Sequence, residues 1–207
     1  YSLDKTDELL RGSVVKSDEW IIDKKNNREI FKKNVSFENS VYTMKTDYAI
    51  YDKTLKLWSA EGNVYARRKL DNASYIESYS DKATYYENEN KTILFSVKNQ
   101  IKTVFYDGVV KEKFISFSNT SIADLKVKTI TMDGDFQLIT SSMTAYSKKA
   151  VYFENTGEFE LFSNPTITAQ NHEYITFITA EKMYLNRHNK VVRSNGNVYG
   201  IIKRKKI

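Results

Sequence analysis

The chain has 207 residues, a formal net charge of +6, no cysteine, 15 tyrosines, 11 phenylalanines and a single proline. Without cysteine neither a disulfide framework nor a thiolate metal site can form, and no stretch nears the roughly 20 apolar residues of a membrane-spanning helix. Aromatic, threonine and β-branched residues suit a pleated, half-buried surface, and their abundance excludes disordered and collagen-like chains.

In chain order, a short helical turn is expected only at Thr6 to Arg11, and a first strand near Val14-Val15. A pattern then begins and recurs: Ser17-Asp18-Glu19-Trp20, Thr46-Asp47-Tyr48-Ala49, Ser80-Asp81-Lys82-Ala83, Ser147-Lys148-Lys149-Ala150 and Ala180-Glu181-Lys182-Met183. Each instance is a small residue, usually an acid, any residue, then an anchor. Two places on stands an aromatic or aliphatic residue: Ile22, Tyr51, Tyr85, Tyr152 and Leu185. The anchors step by 29, 34, 67 and 33 residues, so the long step hides one degenerate unit, expected around residues 113–124. Fourteen residues after the anchors come Asn34, Asn63, Asn164 and Asn197, while the third unit has Val97 instead. Two of these sit in the string Gly-Asn-Val-Tyr, at Gly62 to Tyr65 and Gly196 to Tyr199.

Apolar and polar residues alternate with period 2 on both sides of each acid, through Met44 and Thr46 before it and Ala49 and Tyr51 after it. That period is the signature of strands. The alternation slips by one residue at the acid, as it does where a strand turns a corner through a bulge. Polar turns at 52–54, 88–90, 155–157 and 186–189 close each hairpin, and Asp107-Gly108 and Asp133-Gly134 add two further hairpin signals. Each unit is thus about one hairpin, which cannot bury its apolar side alone and must stack on its neighbours. The expectation is one continuous all-β domain over residues 1–207, built of about six antiparallel hairpins with an apolar interior.

Nothing in the sequence gathers catalytic groups. His172 and His188, the only histidines, fall in predicted turns. A Gly-rich phosphate loop, a Gly-x-Ser-x-Gly elbow and a His-x-x-x-His pair are all missing. The expectation is a non-enzyme with no cofactor and no metal.

The segments Tyr48 to Asp52, Leu55 to Leu57 and Glu61 to Val64, together with Ile178 to Met183 running on to Asn195 to Tyr199, resemble the repeat of the OstA-like family of lipopolysaccharide transport. The resemblance runs from about Ser17 to Ile202 and is weakest at 96–130. It departs from the pattern at Lys32-Lys33-Asn34, where glycine is replaced. What it implies is a V-shaped β-jellyroll in the periplasm, with a groove sheltering the acyl chains of lipid A. The implied partners are lipopolysaccharide and other OstA-like proteins joined edge to edge, or further copies of the chain. A start at Tyr1 rather than Met fits either a cleaved signal or an inner-membrane tether upstream, which separates the family's bridge protein from its anchored partner.

An acyl chain in water costs about 0.8 kcal/mol per exposed CH₂, so a carrier needs apolar surface and no chemistry. The inward alternation names the expected lining: Trp20, Ile22, Met44, Ala49, Tyr51, Ala83, Tyr85, Ala150, Tyr152, Ile178, Met183 and Leu185. The rival is a β-solenoid or adhesin-like scaffold whose interior is filled by its own side chains. Nucleic acid is not an expected partner, because the aromatics follow the inward pattern rather than an exposed basic face. The basic tail Lys203 to Lys206 is read either as a block to pairing at the last strand or as a phosphate contact.

Overall fold

The computed structural model describes residues 13–70, 73–108 and 111–205, so the turn expected at Thr6 to Arg11 and the end of the tail at Lys206 lie outside the described residues. The first nine strands are β1 (Val14–Lys16), β2 (Glu19–Asp23), β3 (Arg28–Glu38), β4 (Tyr42–Asp52), β5 (Leu57–Lys69), β6 (Tyr75–Tyr86), β7 (Lys91–Phe95), β8 (Ile101–Asp107) and β9 (Glu112–Ser118). The second nine are β10 (Thr120–Asp124), β11 (Thr129–Ile139), β12 (Met143–Phe153), β13 (Glu158–Phe162), β14 (Thr166–Gln170), β15 (Tyr174–Thr179), β16 (Lys182–Asn186), β17 (Val191–Asn195) and β18 (Tyr199–Arg204). All belong to one antiparallel sheet, and the described residues contain no helix.

The sheet is folded over along one seam into two facing walls. Residues 28–32 of β3 pair with β2, while residues 36–38 pair with β1. β6 likewise gives one half to β7 and the other to β8, and β12 divides between β13 and β14. The first wall therefore carries β2, β7, β10, β13, β16 and β17 between the halves of the long strands. The second carries β1, β8, β9, β14, β15 and β18. This is the all-β folded sheet that the alternation and its slip at each acid predict.

The seam explains the fourteen-residue spacing. Five crossings use two successive residues in the left-handed region: Lys33-Asn34, Gly62-Asn63, Gly134-Asp135, Ser163-Asn164 and Gly196-Asn197. Glycine and asparagine reach that region most readily. The asparagine amide then donates to the acid of the preceding crossing: Asn34 Nδ2 to Asp18 Oδ2 and Asn63 Nδ2 to Asp47 Oδ2, both at 2.8 Å, and Asn197 to Glu181. At Gly62 a Cβ would lie 2.6 Å from Asp47 Oδ2, so a side chain there would push the acid aside. The small hydroxyl that opens four of the five motifs also has a task, since Ser17, Thr46, Ser80 and Ser147 each donate to the carbonyl two residues on. Lys33 keeps the crossing despite the lost glycine, and its ammonium reaches Glu19 at 2.6 Å.

Two irregular units follow the same logic. In the third, Asp81 accepts the backbone N–H groups of Val97 (2.7 Å) and Lys98 (3.2 Å), and a short loop replaces the continuous strand. Those backbone donors hold the Asp81 carboxyl below the ordinary aspartate range. In the degenerate unit the crossing falls at Asn119, whose N–H donates to the carbonyls of Asp133 and Gly134 at 3.0 Å. Its anchor is Ser121, a polar residue, which hides it from a search for apolar anchors. Asp133-Gly134, expected as a hairpin, is instead the next crossing, inside β11.

Candidate functional site

Ladder register turns the sequence landmarks into rows across the inner face. The anchors and their cross-strand partners form one row beside the seam: Trp20, Phe31, Ala49, Ala60, Ala83 and Leu94, continuing through Ser121, Met132, Ala150, Leu161 and Met183. A second row lies nearer the mouth and holds Tyr51, Trp58, Tyr85, Thr92, Ala123 and Ile130, then Tyr152, Phe159 and Leu185. On the opposite wall one row joins Met44 to Ala66, Ser78 and Thr103, and beyond them to Ala145, Ile167 and Ile178. The expected lining residues all fall on these three rows or, for Ile22, at the end of the second.

Volume separates them. Where the rows read Ala60, Ala83, Ala123 and Ala66, the walls leave a cavity of about 150 Å³. Met44, Ala83 and Tyr85 line it, with Trp58, Leu94 and Ile76 completing much of the apolar surface. Burial pushes the Tyr85 hydroxyl above the ordinary tyrosine range, and it donates to Asn90 Oδ1 at 3.1 Å. Trp58 is held by its neighbours: its ring stacks on Tyr51 at 4.7 Å and Phe31 at 5.8 Å, and its Nε1 donates to the buried carboxylate of Glu87 at 3.1 Å.

The other expected lining residues stand elsewhere. Ala49 is fully buried against Phe31 and Val35, and Tyr51 packs beside them. Ala150, Tyr152, Met183 and Leu185 belong to a continuous packed core, against which Ile178 also rests. Phe105 crosses from the second wall to meet Tyr152 at 4.8 Å and Phe159 at 5.3 Å between ring centres. Except for Leu185 and Phe159, which border a second cavity of about 180 Å³ beside Phe114 and Met143, these residues fill the groove, because methionine, leucine and aromatic side chains occupy the rows there. Trp20 and Ile22 are 59% and 51% exposed, since among the described strands β2 pairs only with β3.

Alternation alone misses Trp58, Ala60, Ala66 and Ala123. The first two were reachable: the cross-strand partner of an anchor lies three residues before the Asn landmark and that of the second row lies five before it, which gives Ala60 and Trp58 from Asn63. Ala123 belongs to the unit whose anchor is polar.

Ion pairs tie the two walls across the mouth. Arg68 at the end of β5 meets Glu154 beyond β12, both side chains largely buried, and Arg68 also borders the cavity. Farther along, Lys190 meets Glu112 at 2.7 Å. Among the described residues no group of three His, Cys, Asp or Glu side chains could hold a metal ion, and no helix is long and apolar enough to cross a membrane.

No family model matches the chain, nor does any curated protein. Among solved structures the chain is similar to the crystal structure of LptH, the LptA homologous periplasmic component of the conserved lipopolysaccharide transport device from Pseudomonas aeruginosa. The two share 10% identity over 92% of this chain and 94% of that one, with a TM-score of 0.33. A likeness of that degree carries no functional argument.

Proposed function

We propose that the protein is a non-catalytic carrier of lipopolysaccharide in the periplasm, sheltering lipid A acyl chains between its two walls on the way to the outer membrane. The observation that carries this reading is the apolar cavity lined by Met44, Ala60, Ala83 and Tyr85, formed where the inner rows narrow to alanine. An apolar cavity of roughly this size stays dry and admits a guest about as large as benzene. A whole acyl chain therefore needs the mouth to widen, and the Arg68–Glu154 pair is the contact that must give. The OstA-like character of the repeat supports the same reading from the sequence side.

The partners follow from the ends of the sheet. A strand paired on one side only offers free backbone groups to another chain; among the described strands β2 and β18 are such edges, and both carry exposed apolar residues: Trp20, Ile21 and Ile22 on β2, Tyr199, Ile201 and Ile202 on β18. We assign these edges to pairing with other OstA-like proteins or with further copies of the chain. An inner-membrane tether upstream of Tyr1 would fit the same arrangement.

The packed C-terminal half favours one rival, a scaffold with no ligand. Native mass spectrometry of the protein purified from cells making lipopolysaccharide separates the two. The carrier returns with lipid bound, and Met44→Arg returns folded and empty. A folded wild type that never retains lipid, or a Met44→Arg variant that retains it fully, overturns the carrier.

A further inference from the structure

We infer that the outer face of the second wall is a docking surface for an anionic lipid bilayer. Register assembles the patch on five neighbouring strands, β4, β5, β6, β8 and β9. Their inward row runs through Met44, Ala66, Ser78 and Thr103, so the residues on either side of it in sequence point outward. One outward row joins Lys45, Tyr65, Tyr79, Lys102 and Phe117. Another, nearer the mouth, joins Lys69, Tyr75, Tyr106 and Lys113. Aromatic rings and exposed lysines thus share a span of about 20 Å, set by the spacing of five strands. These rings hold the outward phase of their strands, contrary to the expectation that the aromatics follow the inward pattern.

Charge sets this face apart. The outer face of the first wall neutralises itself through pairs such as Lys82 with Glu61, Arg28 with Asp52 and Lys182 with Glu160. On the patch, Lys45, Lys69, Lys102 and Lys113 form no ion pair among the described residues. Its one acid, Glu77, already accepts from the Tyr65 hydroxyl at 2.9 Å and faces Arg67 at 3.8 Å. An anionic bilayer matches such a face: its head groups attract the lysines, and tyrosine, with an apolar body and a hydroxyl tip, settles at head-group level. Lysine stems lie along apolar surface while the ammonium reaches outward, and Lys102 stands 5.7 Å from the centre of the Tyr79 ring. The rings are engaged with one another and with cations. Tyr75 stacks on Tyr106 at 4.8 Å with Arg67 over it at 4.0 Å, and Tyr79 packs on Tyr65 at 5.4 Å. Single-stranded nucleic acid needs free ring faces on which its bases stack, so a lipid surface fits this patch better. The inference is independent of the carrier reading, because patch and groove lie on opposite sides of one wall.

Flotation of the whole chain with lipid vesicles tests it. We expect binding to mixed phosphatidylglycerol–phosphatidylcholine vesicles and little to phosphatidylcholine alone. Each lysine held at an anionic surface is worth about fivefold in affinity, so Lys45→Gln with Lys102→Gln should weaken binding about 25-fold. Lys24→Gln with Lys25→Gln removes the same charge from an exposed turn of the first wall and should change little. Tyr79→Ser, which leaves the charge alone, should also weaken binding. A wild type that ignores anionic vesicles, or binds neutral ones equally well, overturns the inference. Equal losses in the two lysine pairs overturn it by reducing the effect to net charge, and so does an unchanged affinity in Tyr79→Ser. An oligonucleotide that displaces the vesicles and binds through the same lysines overturns it in favour of a nucleic-acid surface. Ala83→Phe, which fills the first cavity, should lower lipopolysaccharide loading and still bind vesicles, so the carrier reading fails or stands separately. Loss of vesicle binding in Ala83→Phe overturns the inference by placing the lipid in the groove.

Discussion

In the N-terminal half the row beside the seam reads Ala49, Ala60, Ala83; in the C-terminal half it reads Met132, Ala150, Leu161, Met183. Period-2 strands that cross at a single seam recur in both, though β3 to β6 run through the seam unbroken and β13 to β18 are interrupted there. Side-chain volume in the anchor row changes, and with it the packing beside it: a cavity in one region, and in the other a core with Met132, Phe136, Leu161 and Met183 at 0% exposure, whose free volume of about 180 Å³ lies instead beside Phe114, Met143 and Leu185. A repeat can therefore hold its architecture constant while substitution at the anchor decides whether a stretch of groove is open or solid. Packing density makes the choice sharp, since interiors tolerate neither voids nor extra methylenes without cost.

The contrast can be broken most severely by Phe159→Ala. Removing a fully buried ring that meets Phe105, Tyr152 and Phe136 should cost about 3–5 kcal/mol in urea unfolding. Met44→Ala, on a residue that already faces free volume, should cost less than half as much. Equal losses would mean that the halves are packed alike.

A smaller effect should come from adding volume. Ala150→Leu forces methylenes into a filled site and should cost about 1–3 kcal/mol, whereas Ala83→Leu extends into the cavity and should leave the melting temperature within a few degrees of wild type. Parallel melting curves for the two variants decide it, and an Ala83→Leu loss matching that of Ala150→Leu would close the first cavity as a ligand space.

The smallest effect belongs to the irregular third unit. The Asp81 carboxyl titrates below its unfolded value because the Val97 and Lys98 N–H groups bind its charged form. Its contribution is therefore fully present above the ordinary aspartate value, near 3.9, and is lost as pH falls through the lower folded value. The stability gap between wild type and Asp81→Ala should narrow on acidification through that range. A gap unchanged down to the lowest pH at which both fold would show that Asp81 gains nothing from those donors.

Much of this was legible in the residues. Period-2 alternation marked the strands, the slip at each acid marked the crossings, and the anchor with its Asn landmark encoded the register of the sheet. What the alternation could not carry was the distance between walls. Ala150 and Ala83 obey one pattern, yet Ala150 faces a wall bearing Leu138, Ala145 and Ile167, and Ala83 faces one bearing Ala66 and Ser78. Those opposing residues lie far away in sequence, and no local period relates them. Trp20 and Ile22 failed for another reason: their inward phase is right, but the strand that would cover them is not part of the described sheet.

Backbone passes between the walls only along the seam, whereas the far margin is closed by side chains such as Arg68 with Glu154 and Lys190 with Glu112. The covalent spine cannot lengthen, so the molecule can open only as a book does, with the angle growing and the pages parting most at their free edge. Any long guest must then lie with its bulk toward that edge and its slimmest part against the binding, which orients an amphiphile head outward without a single specific contact.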